Sequence, residues 1–184
     1  VFDNFSTGVK LNIDSRAIIY EGNILSKQDL KQVFHEYKFD IVMHFCALKS
    51  PTESMVYPTK YSETNIVGTL NVLNQMLENN VFKFVFSSSS AVYGEPVKSN
   101  IDEDHPLKPI SYYGFTKLEI EKVLKWYSKT TDLNFVSLRY FNAAGYDMKS
   151  RIKTPERDAP NLIPKIMKVL IGEEKKLKVF GSDY

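Results

Sequence analysis

The sequence predicts a doubly wound α/β fold, in which a parallel sheet carries helices on both faces. Three observations lead there. Short apolar runs alternate with stretches of helical period in the order β-α-β-α-β-α-β. One run, Ile41-Val-Met-His-Phe-Cys46, is apolar on both faces, as a buried parallel strand is. Each run also ends in polar or small residues, where the ligand edge of such a sheet lies. The chain has 184 residues, enough for one domain and part of another.

The elements follow in order. Residues 17–20 (Ala-Ile-Ile-Tyr) are β-branched and apolar and predict a strand. Ser26, with Asp29 three residues on, opens a helix that carries Leu30, Val33, Phe34 and Tyr37. The 41–46 run is the next strand. A helix over about 64–79 places Ile66, Leu70, Leu73, Met76 and Leu77 on one side. Phe82 to Phe86 is a strand that stops in Ser87-Ser88-Ser89-Ser90. A longer helix spans about 112–129, and Phe135 to Phe141 reads as a strand. Asn161 to Ile171 reads as a helix, with Pro164 in its first turn and Gly172 as its stop. No internal repeat or low-complexity stretch is present.

Composition excludes several classes. The chain is 43% hydrophobic and 25% charged, which rules out disordered and fibrous proteins. Its net charge of +2 comes from scattered residues with no basic block, which argues against a nucleic-acid groove. Cys46 is the single cysteine, so neither an intrachain disulfide nor a cysteine zinc cage can form. No apolar run approaches a membrane span, and the opening Val-Phe-Asp-Asn-Phe lacks the regions of a signal peptide. These features predict a soluble, cytoplasmic protein. His44 reads as a core histidine, and His35 and His105 have no partners at metal spacing, so no metal site is expected.

The chemistry-bearing residues fall after the strands. Tyr113 and Lys117 stand four apart on one helix face, where an ammonium beside a phenol favours phenolate and makes a base. Alone the pair says little, since 11 Tyr and 20 Lys in this length give about one such spacing by chance, and there is one. Its company is Phe86-Ser-Ser-Ser-Ser-Ala-Val-Tyr-Gly94, whose third serine lies 24 residues before Tyr113. A third segment, Arg139-Tyr-Phe-Asn-Ala-Ala-Gly145, follows the next strand, with Arg139 read as half of a surface ion pair.

In this order and spacing, SSSxxxYG, YxxxK and RYFNxxG resemble the extended short-chain dehydrogenase/reductase family. Within it the chain is similar to the branch that interconverts UDP-glucose and UDP-galactose. Asp3-Asn4, Glu21-Gly-Asn-Ile24, His44-Phe-Cys-Ala-Leu-Lys49 and Phe180-Gly-Ser-Asp-Tyr184 fit the same pattern, so the resemblance covers essentially the whole chain. It implies a Rossmann-like fold with NAD as cofactor and a UDP-hexose as substrate, used by a homodimer in galactose metabolism. It also implies a partial NAD-binding domain over 1–155 and the start of a nucleotide-sugar domain over 156–184.

The roles implied by the resemblance are these. Tyr113 is the catalytic base, and Lys117 is its partner, which also holds the nicotinamide ribose. Ser89 binds the sugar's 4-oxygen, with Ser88 and Ser90 as alternatives. Asp3, with Asn4 beside it, takes the adenosine ribose, and Asn23 and Ile24 the adenine side. Phe45, Cys46, Ala47, Lys49, Asn65, Ser87 and Tyr140 line the cofactor. Asn142, Asn161, Leu162 and Phe180 contact the nucleotide-sugar. The pairing of helices 64–79 and 112–129, with Trp126 and Tyr127, implies a two-fold interface.

Two departures stand out. Many members have Asp where this chain has Asn23, whose carbonyl can still accept from the adenine amino group. No two glycines stand two apart, so the family's glycine-rich loop is not in these residues. That loop belongs to the first strand–helix unit, whose strand is central in the order 3-2-1-4-5-6. The expectation is therefore an interior fragment whose sheet lacks that strand and leaves unpaired backbone on both neighbours. A nucleotide-sugar dehydratase needs Asp-Glu after the active hydroxyl, where Ser90 and Ala91 stand. A uronate-type epimerase or decarboxylase, and a non-catalytic binding module, are the other readings.

Overall fold

Within the first of two compact units the sheet comes in two pieces. The computed structural model describes residues 1–145, 147–149, 151–152 and 161–179. Strand β1 (Phe2–Asp3) pairs in parallel with β2 (Tyr20–Glu21). Strand β3 (Val42–His44) pairs with β4 (Lys83–Ser89), which pairs with β5 (Asn134–Tyr140), again all in parallel. The register sets Val42 beside Phe84, and Ser89 beside Tyr140. Among the described residues the sheet thus forms one piece of two strands and one of three.

Helices cover these strands. Ser26 caps α1 (Lys27–Glu36): its hydroxyl accepts from the Asp29 N–H at 3.1 Å and donates to the Asp29 carboxylate at 2.6 Å. Helix α4 (Gly68–Glu78) ends at Asn79, and Asn80 follows at φ +58, a conformation asparagine tolerates. Helix α5 (Tyr112–Thr130) is capped by Ser111. The core joins Leu30, Val33 and Phe34 of α1 to Leu73 and Met76 of α4, Phe84 and Phe86 of β4, and Ile120 and Leu124 of α5. This unit comprises Val1–Gly8 and Ile18–Ala143.

The second unit holds Val9–Ala17 and the described residues from Ala144 onward. It contains a 3₁₀ turn (Lys10–Asn12) and α6 (Leu162–Leu170), with Asn161 preceding the helix and Gly172 at φ +80 behind it. Asp147 and Arg151 pair at 2.9 Å, and Lys165 reaches Glu174 at 3.0 Å. The expected domain boundary at 155/156 lies outside the described residues. Among the described residues no helix is long and apolar enough to cross a membrane, and no cluster of His, Cys, Asp and Glu is placed to hold a metal.

Three local expectations need correcting. The strand expected at 17–20 is reduced to Tyr20–Glu21, because its two-residue partner β1 gives it no longer ladder. The helix expected from 64 is preceded by α2 (Pro51–Val56), α3 (Pro58–Tyr61) and a π-helical turn (Ser62–Val67). Pro51 and Pro58 at first-turn positions, with Ser50 as a cap, were the available signal. Finally, the 41–46 run is not buried on both faces: Ile41, Met43 and Phe45 are 46%, 59% and 56% exposed. Among the described residues β3 pairs only with β4, and the face that carries these three side chains stays open.

Candidate active site

The site is assembled where α5 begins against the end of β4. Gly114 permits the approach, since a Cβ there would collide with the Ala91 carbonyl in the turn Ser90–Val92. The helix end is fixed from two sides. Ser111 Oγ accepts from the Gly114 N–H at 3.1 Å, and Ser54 Oγ, fully buried on α2, accepts from the Tyr113 N–H at 2.9 Å. Tyr113 is therefore held at its backbone beside the serine turn.

Lys117 lies one turn on, 3% exposed. Its ammonium donates to the Ser87 carbonyl at 2.7 Å and sits 4.9 Å from the Phe86 ring and 5.9 Å from the Tyr113 ring. Burial pulls its pKa down to about 8, with the Cys46 thiol a smaller opposing influence. A cation is thus kept beside the phenol at neutral pH, at the cost of desolvating it.

The strand's alternation separates the four serines. Ser88 points inward, 2% exposed, and donates to Glu121 Oε1 at 2.5 Å. Ser89 points the other way and accepts from the Ala91 N–H at 3.2 Å, which leaves its own proton for a ligand. Glu121, one turn beyond Lys117, also binds Arg139 Nε at 3.0 Å and Nη2 at 2.7 Å. Arg139 Nη1 then donates to the Tyr93 hydroxyl at 3.0 Å and the Glu103 carbonyl at 3.2 Å. So Arg139 is not half of a surface pair: its side chain is 16% exposed and that of Glu121 3%. The carboxylate beside it holds the Arg139 guanidinium well above its ordinary range. This network ties α5, β4, β5 and the Tyr93 loop together, and the sequence reading missed Glu121. The i, i+4 spacing from Lys117 was the only available hint.

The residues assigned to the cofactor side stand at the other strand ends. The Asp3 carboxylate accepts from the Phe5 N–H at 2.6 Å, and Phe5 takes a left-handed φ of +52 in the turn that follows. Asn4 accepts from the Ser6 N–H at 3.1 Å. Asn23 accepts from the Leu25 N–H at 2.9 Å, and Ile24 is buried. Cys46 follows β3 and is exposed, its thiol pushed up by the protein around it and then by the Asp3 carboxylate. Phe45 and Lys49 are exposed and Ala47 is half-buried. Asn65 is spent internally: its amide accepts from the Leu48 N–H at 2.8 Å and donates to the Leu48 carbonyl at 2.9 Å and to Thr116 Oγ1 at 3.2 Å. It therefore clamps the loop after β3 to α5. His44 is the satisfied core residue expected, with Nε2 3.0 Å from Thr69 Oγ1 and its pKa lowered to about 3 by burial and then by Lys117.

Tyr140, 40% exposed, ends β5, and Asn142 follows it in the first unit. Asn161 and Leu162 are exposed at the start of α6 in the second unit. Phe180 lies outside the described residues. Of the two aromatics expected to spare themselves for an interface, Trp126 is 66% exposed, whereas Tyr127 packs against the core.

Comparison with known proteins bears on what this arrangement is. Residues 1–183 match the NAD dependent epimerase/dehydratase family. The chain belongs to that family. It is 41% identical over its whole length to a UDP-glucose 4-epimerase of Halalkalibacterium halodurans, and 41% identical over 97% of its length to one of Drosophila melanogaster. In structure it resembles a UDP-glucose 4-epimerase with a TM-score of 0.95 and 39% identity, over all of this chain and 56% of that one. The Brucella ovis UDP-glucose 4-epimerase in complex with NAD gives 0.94 and 35%, again over all of this chain and 56% of that one. This family member spans about half the length of the curated relatives it matches, 55% and 50% of the two named here. The Rossmann-like parallel architecture of this chain is the one shared with these solved structures.

Proposed function

We propose that this protein interconverts UDP-glucose and UDP-galactose by inverting C4 of the hexose, with NAD as cofactor. The observation that carries the reading is buried Lys117 held between the Tyr113 ring and the Ser87 carbonyl, two residues before Ser89 on the same strand, in a chain so similar to UDP-glucose 4-epimerases.

The residues present fit part of the cofactor. Asp3, ending β1 with its carboxylate turned into the following loop, suits a ribose diol, and Asn23 suits the adenine amino group. Phe45, Cys46, Ala47, Lys49 and Tyr140 supply the remaining lining, Ser87 fixes Lys117 through its carbonyl, and Asn65 positions the loop that carries Lys49. Bound NAD supplies a two-electron acceptor for C4 that later restores the hydrogen, so that no net oxidation occurs. Tyr113 takes the proton of the 4-hydroxyl and returns it on the way back. Lys117 makes this proton transfer favourable by standing close to the phenol, and Ser89 donates to the 4-oxygen. Asn142, just past β5, is the residue of the first unit assigned to the nucleotide-sugar.

The proposal extends to a cytoplasmic homodimer in galactose metabolism. Trp126 and Val67, both exposed and apolar, are the surface available for pairing, and sedimentation at micromolar concentration checks it. The reaction is tested with Tyr113→Phe in the whole protein. Loss of one acid–base group lowers turnover about 10²–10⁴-fold, with the thermal melt unchanged. Near-normal interconversion of UDP-glucose and UDP-galactose by this variant overturns the reading.

A further inference from the structure

Tyr113 stands at the second position of α5, so its N–H is one of the four at a helix start that have no partner within the helix. Ser111, the cap, serves the third position, Gly114. The first two are served from another part of the chain, by α2. Met55 Sδ accepts from the Tyr112 N–H at 3.3 Å, and Ser54 Oγ accepts from the Tyr113 N–H at 2.9 Å. Ser54 is fully buried and donates its own proton to the Pro51 carbonyl at 2.5 Å. With that proton spent inside α2, the hydroxyl meets Tyr113 as an acceptor only.

We propose that Ser54 is a positioning residue for the reaction: its oxygen fixes the first turn of α5, so that the Tyr113 phenol stands where the proton transfer needs it. The proposal rests on the reading of Tyr113 as the base. An apolar side chain would fill the same space, yet this hydroxyl is spent on one backbone donor, and that donor belongs to the base. Its support is itself fastened. The Tyr61 hydroxyl of α3 accepts from the Ser50 N–H at 3.1 Å, at the cap of α2, and donates to the Glu53 carboxylate at 2.8 Å. The other side of the Tyr113 peptide is held too: Thr116 Oγ1 donates to its carbonyl at 2.7 Å and accepts from Asn65 Nδ2 at 3.2 Å. Both routes lead to the loop after β3, one through Ser50 and the other through the Asn65 clamp on Leu48. Lys49, assigned to the cofactor, lies between those two residues. Ser54 therefore ties the base to the loop on the cofactor side, and a displacement of about 1 Å in such a group costs about 10²-fold in rate.

The test uses the whole protein and the interconversion of UDP-glucose and UDP-galactose. Ser54→Ala should lower kcat about 10–10²-fold and leave KM within about twofold, the pattern of an interaction used in the transition state. In the Tyr113→Phe background the same change should alter the residual turnover by less than about twofold, because no phenol hydroxyl is left to place. Val81→Ala, a truncation of a buried core residue away from the site, loses stability by another route and should keep wild-type kcat below its melt. Hydrogen exchange at the Tyr113 amide should quicken about tenfold in Ser54→Ala, with β5 unchanged. Where Ser54→Ala gives no cooperative melt, Ser54→Cys, close in size but a weaker acceptor, takes its place in the same cycle. Additive losses with Tyr113→Phe, an equal loss of kcat in Val81→Ala, or an unchanged Tyr113 amide overturn the proposal and leave the base assignment standing. Near-normal turnover by Tyr113→Phe alone overturns the base assignment, and this proposal with it.

Discussion

Lys117→Met separates what the buried lysine does for catalysis from what it costs the fold. Burial lowers the pKa of this lysine from 10.5 to about 8. At about 1.4 kcal/mol per pH unit, keeping the charge inside costs the folded state about 3 kcal/mol at pH 7. The sign follows from proton counts. Below pH 8 both folded and unfolded chains hold the proton, and the cost is present in full. Between pH 8 and 10.5 the folded chain gives up the proton while the unfolded chain keeps it, so stability recovers as pH rises. Methionine fills a similar volume without charge, but leaves the Ser87 carbonyl without its donor, a loss of about 1 kcal/mol. The variant should therefore be about 2 kcal/mol more stable at pH 7, a rise in Tm of about 4–8 °C for a chain of this size. The advantage should vanish by pH 10. Epimerisation should move the opposite way, falling sharply at pH 7 and recovering at high pH, where solvent ionises the phenol unaided. Urea melts and turnover of the whole protein against pH measure both. Parallel stability curves for wild type and variant between pH 7 and 10 would refute the reasoning.

Three further outcomes follow from the same geometry. Glu121→Ala strands the partly buried Arg139 and the buried Ser88 and should cost about 3–5 kcal/mol in chemical denaturation; the double variant Glu121→Leu with Arg139→Met should recover most of it, and equal losses in both would count against the network. Gly114→Ala drives a Cβ into the Ala91 carbonyl, so it should cost about 1–3 kcal/mol and reduce kcat as the start of α5 is pushed off the turn Ser90–Val92; a variant with wild-type turnover would show that the close approach is unnecessary. His44, its pKa lowered to about 3 in the fold, resists a proton that the unfolded chain accepts below pH 6.5, so stability is lost as pH falls from 6.5 toward 3. At pH 4.5 that loss is about 3 kcal/mol, and denaturation of His44→Phe should show a visibly shallower acid slope.

Local signals in the sequence determined most of the elements. Ser26 with Asp29 and Ser111 ahead of α5 are caps made within one turn, so the residues that form them are adjacent in sequence. The runs behind β3, β4 and β5 are apolar over consecutive positions, and Tyr113 and Lys117 share a helix face through spacing alone. What the sequence left undetermined depends on residues far apart in the chain. Glu121 is an unremarkable helical acid until β4 and β5 pair in register and bring Ser88 and Arg139 to it. Ile41, Met43 and Phe45 carry the apolar pattern of a strand covered on both faces, yet exposure depends on what packs on that face in the folded chain, and all three stay exposed. The pKa of Lys117 was likewise settled only in three dimensions. Its spacing to Tyr113 comes from one helix, but its desolvation comes from β4 closing over the ammonium, and burial is a property of the packed chain.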